Sequence, residues 1–142
     1  MTEHLLHAKA LLEQGEYTCV VCRGDTVHTA TDRGVRPLLN WLDCPGVDLS
    51  HFSAADRVVG RATAFLYVLL GVSEVYARVM SRPAMEILTA NHIAASTDKL
   101  VEGIINRQGT GPCPFEAAVL DISDPAEALT AIREKLAQLA RK

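Results

Sequence analysis

No run of lysines or arginines occurs in the 142 residues, and the chain carries a net charge of -3 with a pI near 5.9. Duplex nucleic acid is bound through a positive footprint, so it is not an expected partner. Long apolar runs are missing too: the longest, Ala62 to Val72, falls well short of the ~20 residues that span a bilayer, and no membrane partner is expected. The first ten residues carry Glu3, His4 and His7 and lack a cationic stretch followed by an apolar one. No signal peptide is therefore expected, and the cytoplasm is the expected location. HxxxH and HxE spacings are absent, His4 and His7 sit three apart on an end that frays, and His51 and His92 are expected to be structural or surface residues. The four cysteines include a CxxC pair, Cys19 and Cys22, but Tyr-Thr-Cys-Val-Val-Cys reads as a strand, where residues three apart face opposite ways. Small buried thiols in a reducing compartment are expected, with no metal and no cofactor. Without repeats, low complexity or a linker, residues 1–142 form one domain.

What is present is a good supply of core material, 49% hydrophobic residues against 22% charged. Leu5, Leu6, Ala8, Leu11 and Leu12 form a helical stripe over Thr2 to Gln14 that Gly15 ends. Tyr17 to Arg23 and Thr26 to Thr31, separated by Gly24-Asp25, predict a hairpin. Arg36 to Leu42 predicts a short helix, broken by Asp43-Cys-Pro-Gly. Ser53 followed by Asp56 resembles a capping arrangement for a helix running to Leu70, whose last turns are apolar all round and therefore buried. Glu74 to Met80 alternates as a strand, Ser81-Arg-Pro opens a helix ending near Asn91, and another strand is expected near His92 to Ala95. Leu100 to Ile105 fits a strand or a helical turn equally. A short helix from Phe115 to Leu120 and a longer one capped at Asp124 and reaching Ala140 complete the chain. Strands alternating with helices predict an α/β sandwich of four or five strands with helices on both faces.

Two polar stretches stand out. In Asn106-Arg-Gln-Gly-Thr-Gly-Pro-Cys-Pro-Phe-Glu116, Gly109 and Gly111 relax the backbone while Pro112 and Pro114 stiffen it around Cys113. Cys113, at the expected start of a helix, suits a nucleophile with Glu116 as acid or base, or else a tight turn with a buried thiol. On the expected central helix, Asp56, Arg57, Gly60 and Arg61 are spaced to put Arg57 beside Arg61, a pair able to grip a phosphate or carboxylate. The competing reading is solvated arginines, with Gly60 allowing close packing.

The motifs Asp56-Arg-Val-Val-Gly-Arg-Ala62 and Ile105-Asn-Arg-Gln-Gly-Thr-Gly-Pro-Cys-Pro-Phe-Glu116 resemble those of domain of unknown function 1893, with further agreement in Gly34 to Leu39, Glu74 to Tyr76 and Leu120 to Ile122. That resemblance implies a cytidine deaminase-like fold, a three-layer α/β/α sandwich around a mixed sheet of about five strands. Zinc deaminases of that fold place an HxE or CxE motif and a PCxxC motif at two helix starts. Gly60-Arg-Ala-Thr63 and Arg82-Pro-Ala-Met-Glu-Ile87 stand in those places here, without histidine or cysteine. The expected protein is thus one that lacks the zinc ligands and binds a small anionic or nucleotide-like ligand through Asp56, Arg57, Gly60 and Arg61, closed by Asn106, Arg107, Gly109, Thr110 and Gly111. The alternatives are a non-metal enzyme with Cys113 as nucleophile and a structural protein without catalysis. The apolar central helix also suggests a homodimer.

Overall fold

The computed structural model describes residues 2–106 and 108–141. Thr2 opens α1 (Glu3–Gln14), its hydroxyl oxygen accepting the Leu5 N–H at 3.2 Å, and Gly15 follows the last turn. β1 (Cys19–Arg23) and β2 (Thr26–Ala30) form the antiparallel hairpin, with Gly24 at a φ of 59° in the turn. α2 (Arg36–Leu42) follows, then β3 (Ser53–Val59), α3 (Arg61–Leu70), β4 (Glu74–Ser81), α4 (Arg82–Ala90) and β5 (Ala94–Val101). α5 (Pro114–Ala118) and α6 (Pro125–Ala140) end the fold, α6 being capped by the Asp124 carboxylate on the Glu127 N–H.

The sheet order is β2-β1-β3-β4-β5. β1 pairs antiparallel with β2 and β3, whereas β3, β4 and β5 run parallel, so the sheet is mixed. α1 alone covers one face, burying Leu5, Ala8 and Leu12 against Val20, Cys22, Ala55 and Tyr76. The other helices pack on the opposite face, where Leu38, Phe65, Leu66, Leu88, Val119 and Ile132 join Cys19, Val21 and Val75. The result is a three-layer α/β/α sandwich, and Cys19 and Cys22 lie on its two sides as strand alternation requires.

One long helix over Ser53 to Leu70 does not exist. Ser53–Val59 is a strand hydrogen-bonded on both edges, and the helix begins only at Arg61. Val58 and Val59 favour extended backbone, and Gly60, at φ -105° and ψ -172°, marks the change of period. The Ser53 hydroxyl caps nothing; it donates to Glu74 Oε2 at 2.7 Å. The last strand starts later and runs further than the sequence suggests, to Val101, and Ile105 pairs in an isolated bridge with Pro112. α3 is apolar nearly all round because α2, α4, α6 and the sheet enclose most of it, while Leu69 stays exposed. No helix among the described residues is long and apolar enough to cross a membrane.

Glu74 is a buried carboxylate holding two layers together: it accepts from Ser53 and from the Thr2 hydroxyl at the start of α1. Glu74→Ala removes both acceptors and leaves the Ser53 hydroxyl buried without a partner. A loss of about 1–3 kcal/mol is expected in urea unfolding, with faster amide exchange in the first turn of α1.

Candidate functional site

β1 runs antiparallel to β3, which sets Cys19 directly opposite Asp56. At that crossing the sheet changes from antiparallel to parallel pairing, the kind of switch point where α/β folds hold ligands. A cavity of about 250 Å³ opens there. Its walls come from Thr18 and Cys19, from Asp32 to Val35 with Pro37 and Leu38, from Asp56 to Val58, from the start of α3, and from Ile104, Cys113, Phe115 and Glu116.

Asp56 forms the polar floor. Its Oδ1 accepts the backbone N–H of Arg57 at 2.7 Å, and its Oδ2 accepts the Tyr67 hydroxyl at 2.7 Å. Tyr67 Oη in turn lies 3.1 Å from Cys19 Sγ. Burial pushes the Asp56 carboxyl up to about 6 against the lowering effect of these bonds, and it raises Tyr67 and the Cys19 thiol well above their ordinary values. Cys19 and Tyr67 thus stay protonated near neutrality, while Asp56 titrates. Arg57 lines the same cavity, and its Nε is buried with no hydrogen-bond partner among the described residues.

The first turn of α3 is closed by a residue from far along the chain. Gly60 has no side chain to cap the helix, and Glu116 supplies the acceptors: Oε1 takes the Arg61 N–H at 2.6 Å and Oε2 takes the Ala62 N–H at 2.8 Å. A Cβ at position 60 would overlap the Glu116 carboxylate and lie 2.8 Å from Ile104 Cγ1. Glycine is needed because the carboxylate rests directly on the backbone.

Asp56, Arg57, Gly60, Cys113 and Glu116 therefore line one cavity. Arg61 contributes its amide to the Glu116 contact, and no helical face pairs Arg57 with Arg61, since the two stand on a strand and on a helix. Asn106, Gly109, Thr110 and Gly111 form a self-contained loop. The Asn106 side chain exchanges hydrogen bonds with Thr110, the Asn106 N–H donates to Gly111 O at 2.8 Å, and Gly109 takes a φ of 72°. These four do not line the cavity, and Arg107 lies outside the described residues. Glu116, expected to serve Cys113 as acid or base, spends both oxygens on α3, and no histidine lines the cavity. Sequence reasoning took Cys19 for a small buried thiol, as it is, without giving it a place in the site, and passed over Tyr67. The available signal was a tyrosine among the apolar later turns of α3, whose buried hydroxyl needs a partner.

The starts of α3 and α4 hold Gly60, Arg61 and Ala62, and Arg82, Pro83 and Ala84, which give a zinc ion no thiolate or imidazole. Among the described residues no three His, Cys, Asp or Glu side chains gather as a metal site.

The family model described as domain of unknown function (DUF1893) matches residues 7–136. The chain belongs to the DUF1893 family. Its fold is similar to the crystal structure of a DUF1893 family protein (TM1506) from Thermotoga maritima, with a TM-score of 0.83 and 24% identity over 97% of this chain and 92% of that one. No curated protein matches it. The two motifs of this DUF1893 chain meet at one contact, Glu116 on the first turn of α3.

Coupling between Gly60 and Glu116 is measurable. Gly60→Ala is expected to cost about 1–3 kcal/mol alone and clearly less in a Glu116→Ala background, where the collision is relieved; equal costs in the two backgrounds defeat the explanation. Asp56 supplies a pH test. Its folded-state value lies above the ordinary carboxylate value, so the folded chain holds that proton more tightly, and stability falls as pH rises from about 4 through 6. Relative to Asp56→Asn, the native chain should gain about 1–2 kcal/mol when the pH is lowered from 7 to 4, read by thermal melts across that range.

Proposed function

We propose that this protein is a small-molecule-binding member of the deaminase-like superfamily, with its ligand in the cavity between β1, β3, the start of α3 and residues 113–116. The observation that carries the reading is the Arg57 Nε, a buried donor without a partner, in the same wall as the half-buried Asp56. A buried unsatisfied donor costs about 1–3 kcal/mol, and because Arg57 lines the cavity, a turn of its side chain toward a ligand acceptor there recovers it.

The size and lining narrow the ligand. At about 250 Å³ the cavity suits one planar ring rather than a whole nucleotide. Asp32, Asp56 and Glu116 outnumber Arg33 and Arg57 around it, so an uncharged heterocycle is favoured over a strong anion. A ring edge with a carbonyl for Arg57 and an N–H for Asp56 meets both groups, as in the pyrimidine and purine bases. Deaminase-like descent accords with the mixed five-stranded sheet and with a cavity at the start of α3. Zinc-water chemistry forms no part of the reading, because the residues at the two helix starts do not fit the ion. The Cys113 nucleophile gains no support, since Glu116 gives both oxygens to the amides of α3 and no histidine lines the cavity.

Native mass spectrometry of freshly purified protein, followed by thermal melts with cytosine, uracil, thymine, adenine and guanine, tests the reading. A base at 100 times its dissociation constant stabilises the fold by about 2.7 kcal/mol, which raises the melting temperature by ~6–10 °C. Arg57→Ala and Asp56→Asn should each reduce affinity at least about tenfold. If no base shifts the melt at millimolar concentration, or if both variants bind as well as the native chain, the assignment is wrong.

A further inference from the structure

The wall formed by Cys113, Phe115 and Glu116 differs in attachment from the others. β1 and β3 are central strands, and α3 is enclosed by three helices and the sheet. By contrast α5 contributes no fully buried residue, and the chain just before it is held to Ile104 by the Cys113 N–H at 3.0 Å. Phe115 packs half-buried against the core and α5 lies on α6, while beyond the Cys113 bond the polar tether of this wall is the Glu116 carboxylate on the two amides of α3. Among the described residues those amides have no other acceptor, and the residue that caps the helix is a glycine without a side chain. Directly after α5, Val119 is fully buried and fixes the C-terminal end of the segment.

We propose that α5 and the residues just before it form a lid over the cavity, latched by Glu116 at the start of α3, so that release of this one carboxylate opens the floor to incoming molecules. The proposal concerns access to the cavity and does not depend on which ligand occupies it. The latch is of a kind that can work in both directions. Its two hydrogen bonds are charge-assisted on the carboxylate side, so they hold the wall closed, yet the released amides can be solvated at the helix end. Gly60 is part of the device, since a methyl group there would occupy the space of the latched carboxylate.

Cysteine chemistry reads the opening directly, because the molecule carries its own control. Cys19 is 2% exposed and lines the cavity behind the lid, whereas Cys22 is fully buried on the opposite face of the sheet beneath α1. Local opening exposes Cys19 alone; global unfolding exposes both. The full-length chain is treated with iodoacetamide under native conditions, and alkylation of each cysteine is followed by peptide mass spectrometry, with amide exchange at Arg61 and Ala62 in parallel. Glu116→Gln is expected to speed Cys19 alkylation at least about tenfold, with faster exchange at the two amides and no change at Cys22; one hydrogen bond to a charged group is worth about that factor. Gly60→Ala should act in the same direction. If Cys19 and Cys22 speed up together, Glu116 only stabilises the fold, and the latch is overturned. If neither changes in both variants, the segment is no lid. Base binding that fails in the melts while Cys19 responds as stated removes the proposed ligand and leaves the lid standing.

Discussion

The amino end of a buried helix presents amide groups that must find acceptors, and in this protein the acceptor comes from another part of the chain. α3 lies at the centre of the helical layer, and in the closed arrangement its first turn is met by the chain itself and not by water. Glu116 meets that need across 55 residues of sequence, with one oxygen for each of two amides. Three constraints follow from this contact. Position 60 must lack a side chain, the stretch after β5 must return to α3, and α5 must start where it does to aim the glutamate. The two motifs expected to share one ligand site meet in a structural joint, Glu116 on the first turn of α3, which also shapes the rim of the cavity.

Beside the joint lies the part of the molecule that packing does not explain. Asp56, Tyr67 and Cys19 form a buried polar chain in a region where aliphatic residues would pack well, and Arg57 adds a donor without a partner. Buried polar groups lower stability unless every one is satisfied. The arrangement is therefore costly in a way the joint at Glu116 is not, and that excess cost is what the proposed ligand site rests on.

How far the sequence could be read depended on the range of the interaction that decided each element. α1, the β1–β2 hairpin, α2, β4 and α6 are set by local signals: the Thr2 and Asp124 caps, the Gly24-Asp25 turn, the prolines near the helix starts and the alternation from Glu74. These elements fall within a few residues of where their signals place them. β3 failed because Ser53 and Asp56 mimic a local cap, whereas the strand is made by pairing with β1 and β4 on both sides, which no local window contains. The site divides in the same way. Asp56, Arg57, Gly60, Cys113 and Glu116 were legible as unusual residues, but their roles were not. Glu116 was read against Cys113, three residues away, when its partners were the amides of Arg61 and Ala62. Asn106, Gly109, Thr110 and Gly111 belong to the most distinctive motif and turned out to bond with one another.

The Glu74 carboxylate, which ties Thr2 to the leading ends of β3 and β4, also determines the polarity of the whole molecule. The cavity lies at the trailing end of β3, and seven extended residues at about 3.3 Å each separate the two ends by roughly 20 Å. Any polypeptide joined ahead of Thr2 therefore leaves from the rim opposite the mouth. An affinity handle or surface attachment placed there keeps the opening unobstructed.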